Sequence, residues 1–182
     1  EIWVSILEKA WAKVNGGYAN ILTGYMFETL QAFTGIPSLN IEHNTVKKDH
    51  FWKFLNKEKK KKNLISFRTK RNVCDVGLEP CQSYLFVNTL EIKSKGESIK
   101  LIELKNPGYN SKFTGNWGDM SDLWGEEERI QVGFDFKNPM NFFISFDDLI
   151  TYFSSTDIFY VLKQTYSKNY EIESNDASQG QI

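Results

Sequence analysis

Ser83-Tyr84-Leu85-Phe86-Val87-Asn88-Thr89-Leu90-Glu91-Ile92, then Ser94-Lys95-Gly96-Glu97-Ser98, then Ile99-Lys100-Leu101-Ile102-Glu103-Leu104-Lys105, is the stretch that decides the fold. Residues 83–92 and 99–105 carry the two-residue period and the β-branched and aromatic side chains of strands. The polar, glycine-bearing segment between them reads as a turn, so the stretch predicts an antiparallel hairpin. Upstream the period is 3.6. Ile2, Trp3, Ile6, Leu7, Ala10, Trp11 and Val14 fall on one helical stripe, and Asn15-Gly16-Gly17 stops it, because glycine readily takes the left-handed conformation that ends helices. A second helix is expected over 25–33, with Met26, Leu30 and Phe33 inward and Gly35 at its end. Ile36-Pro37-Ser38 reads as a linker. A third helix is expected over 45–57, with Asn44 or Thr45 as N-cap.

The same period change extends downstream of the third helix. Residues 64–69 predict a strand, 130–136 and 142–145 two more, 146–153 a short helix and 157–162 a last strand. From Ser174 the composition is polar and predicts disorder. Helices first and an antiparallel sheet after them indicate an α+β architecture.

Composition sets the outer bounds. The chain has 182 residues, a formal net charge of −1, 41% hydrophobic residues, and 5 Trp, 8 Tyr and 14 Phe, enough for one medium domain with an aromatic-rich core. No apolar run approaches the ~20 residues that span a bilayer, and no signal-peptide pattern is present. Cys74 and Cys81 lack C-x-x-C spacing or nearby histidines; they read as reduced structural thiols of a cytosolic protein, with a disulfide or a zinc pair as alternatives. The chain starts at Glu1 inside a helical pattern, so the natural N-terminus is expected elsewhere. Arginine occurs only at 68, 71 and 129 and asparagine is abundant, a usage that suggests an AT-rich genome such as a ciliate's.

Three surface features have plain readings. Lys57-Glu58-Lys59-Lys60-Lys61-Lys62 reads as a solvated loop between helix and strand; scarce arginine and near-zero charge argue against nucleic acid, leaving docking to an acidic protein surface, such as a tubulin tail, as the minor reading. Trp117 and Trp124 read as core packing rather than a ligand cage. Asp122, Glu126, Glu127 and Glu128 read as a solvated acidic loop, and the glycines form no phosphate-binding fingerprint.

Glu1-Ile2-Trp3-Val4-Ser5-Ile6-Leu7-Glu8-Lys9-Ala10-Trp11-Ala12-Lys13-Val14-Asn15-Gly16 closely resembles the calpain family of cysteine proteases, in which this segment is a helix of the first protease-core subdomain. Phe33-Thr34-Gly35 resembles the hinge between the two core subdomains. Leu101-Ile102-Glu103-Leu104-Lys105-Asn106-Pro107, Phe113-Thr114-Gly115-Asn116-Trp117-Gly118-Asp119 and Phe142-Phe143-Ile144-Ser145-Phe146-Asp147-Asp148-Leu149 match the second subdomain in order. The resemblance covers roughly residues 1–162. It implies a papain-like core fragment: helices of the first subdomain over 1–35, the second subdomain over 36–162, and a linker or disordered tail over 163–182. It also implies that the catalytic cysteine and its oxyanion glutamine lie upstream, so that neither Cys74 nor Cys81 is the nucleophile.

By the same resemblance Asn106 takes the orienting position of a Cys-His-Asn site, and Gln82, in Glu79-Pro80-Cys81-Gln82-Ser83-Tyr84, stands where the histidine belongs. Imidazole draws the proton from the thiol and returns it to the leaving amine. A carboxamide does neither near pH 7, and general acid–base catalysis alone is worth ~10²–10⁴ in rate. Cys81 is expected on the other face of a strand from Gln82, and His43 and His50 are expected to be surface histidines; none of them replaces the base. The family follows Asn-Pro with Trp-Gly, whose indole shields the Asn–His bond, whereas this chain has Gly108-Tyr109.

Calcium ligands would fall at Lys112, Asp119, Pro139 and Asn141 in the second subdomain and at Glu1 in the first. Glu1 and Asp119 keep a carboxylate; lysine, proline and asparagine do not supply the anionic oxygens calcium requires. The second-subdomain site is expected to be empty, and no cofactor is expected. These readings predict an inactive calpain-like module with a structural or scaffolding role in a larger protein or assembly. It is expected to be cytoplasmic, in a cytoskeletal or ciliary setting, and to partner the upstream subdomain of the same protein. The alternative is an active, calcium-dependent cysteine endopeptidase.

Overall fold

Lys95 and Gly96 both have positive φ, 51° and 85°, and close the expected hairpin as a two-residue turn between paired Ser94 and Glu97. Positive φ at both central positions matches the right-handed twist of the flanking strands, and glycine takes it without strain. The computed structural model describes residues 2–22, 24–73, 75–106, 108, 112–133 and 140–161. Among these, the elements are α1 (Trp3–Val14), α2 (Met26–Thr34), β1 (Ser38–Glu42), α3 (Lys48–Lys60), β2 (Leu64–Thr69), β3 (Ser83–Ser94), β4 (Glu97–Lys105), α4 (Glu126–Val132), β5 (Asn141–Ser145), α5 (Phe146–Tyr152) and β6 (Phe153–Phe159). The described strands form one six-stranded antiparallel sheet, ordered β1-β6-β2-β3-β4-β5. The α+β class is as the sequence indicates.

One face of the sheet packs on α3 and α5. Phe51 and Leu55 from α3 and Phe146 and Leu149 from α5 meet Ile65, Phe67, Tyr84, Ile102, Leu104, Ile144 and Ile158 from the strands. A smaller cluster of Ile92, Leu101, Trp117, Trp124 and Phe143 covers the other face at the β4–β5 end. Trp117 and Trp124 are core residues, as expected, meeting edge-to-face at 4.8 Å. A register shift between Phe86 and Asn88 explains how Tyr84 and Ile92, both even-numbered, serve opposite faces: the bulge at Val87 flips the alternation halfway along β3.

Several expectations needed correction. Ser38 is no linker residue; it opens β1, which pairs with β6 from Ser38–Phe159 to Glu42–Ser155. The third helix starts three residues late, at Lys48, and neither Asn44 nor Thr45 caps it. Thr45 Oγ1 instead donates to the Glu42 carbonyl, closing a 3-10 turn over His43–Thr45. The helix then runs on through Lys57, Lys59 and Lys60, so residues 57–60 of the lysine run are helical rather than loop; lysines there face the negative end of the helix dipole. The strand expected over 130–136 is helix up to Val132, with three glutamates in its first turn and left-handed Gly133 as its stop, while 134–136 lies outside the described residues. The same glutamates are therefore not loop. The last strand begins at Phe153 instead of Asp157, because residues 153–156 pair with β2 and β1. Its expected end at 162 lies outside the described residues.

The α1 stripe also departs from expectation. Ile2, Trp3, Ile6 and Leu7 are exposed, and Ala12 is the buried residue of this helix. In α2, Met26 and Leu30 are half-buried and Phe33 is exposed, its ring meeting Trp11 edge-to-face at 5.5 Å. At α5, Ser145 Oγ accepts from the Asp148 amide at 3.0 Å, a side-chain N-cap preceding two acidic residues. Ser145→Ala should lower unfolding free energy by about 1 kcal/mol, read as a lower urea midpoint at constant slope; an unchanged midpoint would mean the cap contributes nothing.

Candidate functional site

A cleft of about 530 Å³ opens between the helical segment and the start of β3. Trp11 of α1 and Leu30 and Phe33 of α2 line one side; Cys81, Gln82 and Ser83 line the other. Gln82 is the residue that links the sheet to this cleft. Its backbone is tied twice to β2, the Gln82 amide donating to Thr69 Oγ1 at 2.9 Å and the Thr69 amide donating to the Gln82 carbonyl at 3.0 Å. The same Thr69 hydroxyl lies 2.6 Å from the Glu79 carbonyl, and the Glu79 amide donates to the buried Tyr84 hydroxyl at 3.0 Å. Residues 79–82 thus form a tight turn with Cys81 in the left-handed region, φ 55°. Cys81 belongs to that turn and not to a strand, and it shares the cleft wall with Gln82 instead of lying on an opposite face.

Asn106 directly follows β4 and is buried. Lys105 pairs with Leu85, so one further step along the ladder sets Asn106 opposite Tyr84, two residues from Gln82. The Asn106 amide donates to the Met140 carbonyl at 2.8 Å, and Asn106 Oδ1 accepts from the Gly108 amide at 2.9 Å. A Gln82–Asn106 side-chain pair would be geometrically natural, but no hydrogen bond joins these two side chains; the Asn106 oxygen closes its own turn onto Gly108 instead.

Neither histidine enters the cleft. His50 is exposed on α3. His43, expected at the surface, is buried against Phe51 and Phe67. Its Nδ1 lies 3.0 Å from the Phe153 carbonyl, an obligate acceptor, so Nδ1 carries the proton and Nε2 accepts from Thr156 Oγ1 at 2.7 Å. Burial, with the nearby Lys70 charge, lowers its pKa from 6.5 to about 4 against the raising effect of the Phe153 carbonyl. His43 is a neutral structural histidine. The polar neighbours Glu42, Asn44 and Thr45 give no sign of this in the sequence, since the hydrogen-bond partners Phe153 and Thr156 lie 110 and 113 residues away.

The candidate calcium positions are mixed. Glu1 and Pro139 lie outside the described residues. Asp119 Oδ1 and Asn141 Oδ1 are each buried without a hydrogen-bond partner, a feature a cation could use. Against this, Asn141 Nδ2 donates to Glu103 Oε1 at 2.7 Å, and the Lys112 ammonium acts on Asp119. Burial raises the Asp119 carboxyl above its ordinary range, and Lys112 partly offsets that. One carboxylate, one amide oxygen and one ammonium do not fit calcium, which takes 6–8 oxygens, several of them anionic. Among the described residues no three His, Cys, Asp or Glu side chains gather as a metal site. No helix among them is long and apolar enough to cross a membrane.

Comparison with known proteins matches residues 1–160 to the calpain family cysteine protease model. Similar curated proteins include calpain-9 of Rattus norvegicus, 28% identical over 168 residues, which covers 87% of this chain and 24% of that protein. Calpain of Schistosoma mansoni is 27% identical over 167 residues, covering 87% and 22%. The calpain-2 catalytic subunit of Homo sapiens is 28% identical over 170 residues, covering 87% and 24%. The chain spans about a quarter of the length of these relatives.

Proposed function

The chain belongs to the calpain family of cysteine proteases, and from that premise we propose that it is a calpain-like core module that no longer cleaves peptides and serves as a structural or scaffolding part of a larger protein or assembly. In this reading residues 1–35 are helices of the first core subdomain, residues 36–162 are the second, and residues 163–182 are a linker or tail. The upstream part of the first subdomain is the partner that covers the exposed apolar side of α1. The setting is cytoplasmic, cytoskeletal or ciliary.

The observation that carries the reading is a cleft wall bearing Gln82 and no imidazole. The chain has two histidines; one is locked in the core by Phe153 and Thr156 and the other is exposed on α3. A glutamine amide can orient a thiol by hydrogen bonding but relays no proton. Asn106, retained at the orienting position, has no ring to orient and bonds the Gly108 amide. Such a module contributes surface and a fixed shape rather than chemistry.

Recovery of the protein from its native source should give a stable complex of constant stoichiometry that calcium chelation leaves intact. A free monomer, or a complex that falls apart on chelation, would contradict the scaffolding role. Calcium itself should matter little. Millimolar calcium should shift the melting temperature by less than about 1 °C, whereas a site 100-fold saturated would add about 2.7 kcal/mol, several degrees for a chain of this size. A calcium-dependent rise of several degrees that Asp119→Asn abolishes would show that Asp119 and Asn141 hold the ion despite Lys112.

A further inference from the structure

The β1-β6-β2 end of the sheet has a polar face beneath α2. Ile65, Phe67 and Ile158 point into the main core, so the alternate residues Asn40, Ser66, Arg68, Ser155 and Asp157 lie on the opposite face. Asp157 is 1% exposed and is the ladder partner of both Asn40 and Ser66. Asn40 Nδ2 donates to Asp157 Oδ1 at 2.6 Å; burial raises the Asp157 carboxyl, and Asn40 and the backbone of Phe27, in the first turn of α2, act on it in the opposite direction. Arg68 lies beside it, at the register shift between β2 and β6, its carbonyl held by Ser154 Oγ at 3.2 Å. The Arg68 guanidinium donates through Nη1 to the Gly24 carbonyl and sits 4.3 Å over the Tyr25 ring. Two charged side chains of the sheet therefore hold the approach to α2 and its first turn.

We propose that Asp157 and Arg68 form a latch that fixes α2 on the sheet, and with it the width of the cleft beside Gln82, without any bound cation. A fully buried carboxylate is unfavourable unless hydrogen-bonded or paired, so Asp157 tolerates its position beneath α2 only while Asn40 stays in place. The positive end of the α2 dipole adds to the attraction. Arg68 supplies the second hold, combining a charge-assisted bond to a carbonyl with stacking on an aromatic ring. The short hydroxyls of Ser66 and Ser155 on this face find no partner, so the two charged residues are the ones that bridge to α2. The latch stands whether or not the protein cleaves peptides.

Hydrogen exchange tests it in the unmodified protein and in Arg68→Ala, Arg68→Lys and Asp157→Asn, each with and without a calcium chelator. In Arg68→Ala the amides of α2 should exchange about tenfold faster while those of β4 keep their protection. Arg68→Lys, which keeps the charge but loses the planar fork, should fall between, and chelation should change nothing in the unmodified protein. If Arg68→Ala also loses β4 protection, the milder lysine variant decides by the same comparison. Unchanged α2 exchange in the variants, or α2 loosened by chelation in the unmodified protein, would overturn the latch. Because the readout is exchange and not cleavage, its failure is separable from any finding about peptidase activity.

Discussion

Gln82→His, introduced into the full-length protein, should fold as the unmodified protein does and still show no calcium-stimulated cleavage of casein. Tolerance follows from the surroundings. The Gln82 backbone is fixed by Thr69 through its amide and carbonyl, and its side chain makes no hydrogen bond that an imidazole would break. It faces an open cleft of about 530 Å³ with room for the ring. The urea midpoint should therefore change by less than about 0.5 kcal/mol equivalent. The rate should not return, because a restored base is worth only ~10²–10⁴ when the rest of the site is in place, and triad members act as a unit. Here Gly108-Tyr109 replaces the shielding indole expected from the family resemblance, and Lys112 acts on Asp119 where calcium would lie. Appreciable calcium-stimulated cleavage by the variant would show that the site is otherwise intact, and that Gly108, Lys112 and Pro139 do not prevent catalysis.

Acid should destabilise the protein through His43. Burial lowers its pKa to about 4 in the folded state, from the ordinary 6.5 it regains when unfolded. Between those values the unfolded chain binds the extra proton, so stability is fully present above pH 6.5 and is lost as pH falls towards 4. A depression of this size is worth up to about 3 kcal/mol. Carboxylates titrate in the same window, and buried Asp157, raised by desolvation, works in the opposite direction. The difference between unmodified protein and His43→Gln isolates the histidine. Urea unfolding from pH 7.5 to 4.5 should give a steeper loss for the unmodified protein, and His50→Gln, at an exposed position, should follow the unmodified slope. Parallel slopes for the protein and its His43 variant would show that the fold does not lower the pKa of His43.

What could be read from the chain follows from how local each signal is. The β3–β4 hairpin was legible because Lys95-Gly96 and the alternating flanks act over a few residues. Ser38–Glu42 was not, since five residues next to a proline become a strand only by pairing with β6, more than 110 residues away. Residues 130–132 alternate as a strand does, yet three preceding glutamates and left-handed Gly133 make them the end of α4. His43 looked like a surface residue because its partners, Phe153 and Thr156, are distant in sequence. At the site, hairpin logic puts Gln82 and Asn106 at the same end of the β3–β4 pair, but the Thr69 tether and the Asn106–Gly108 turn depend on loop geometry that periodicity does not encode. The polar layer of Asp157 and Arg68 was missed for a similar reason: its alternation is ordinary, and only the packing of α2 buries it.

Casein cleavage by the unmodified full-length protein, with millimolar calcium and with chelator, tests the proposed loss of catalysis most directly. No cleavage above the background of the buffer is expected in either condition. Cleavage that rises with calcium and is abolished by a thiol alkylating agent would contradict it, and would require a base in the cleft other than the Gln82 carboxamide.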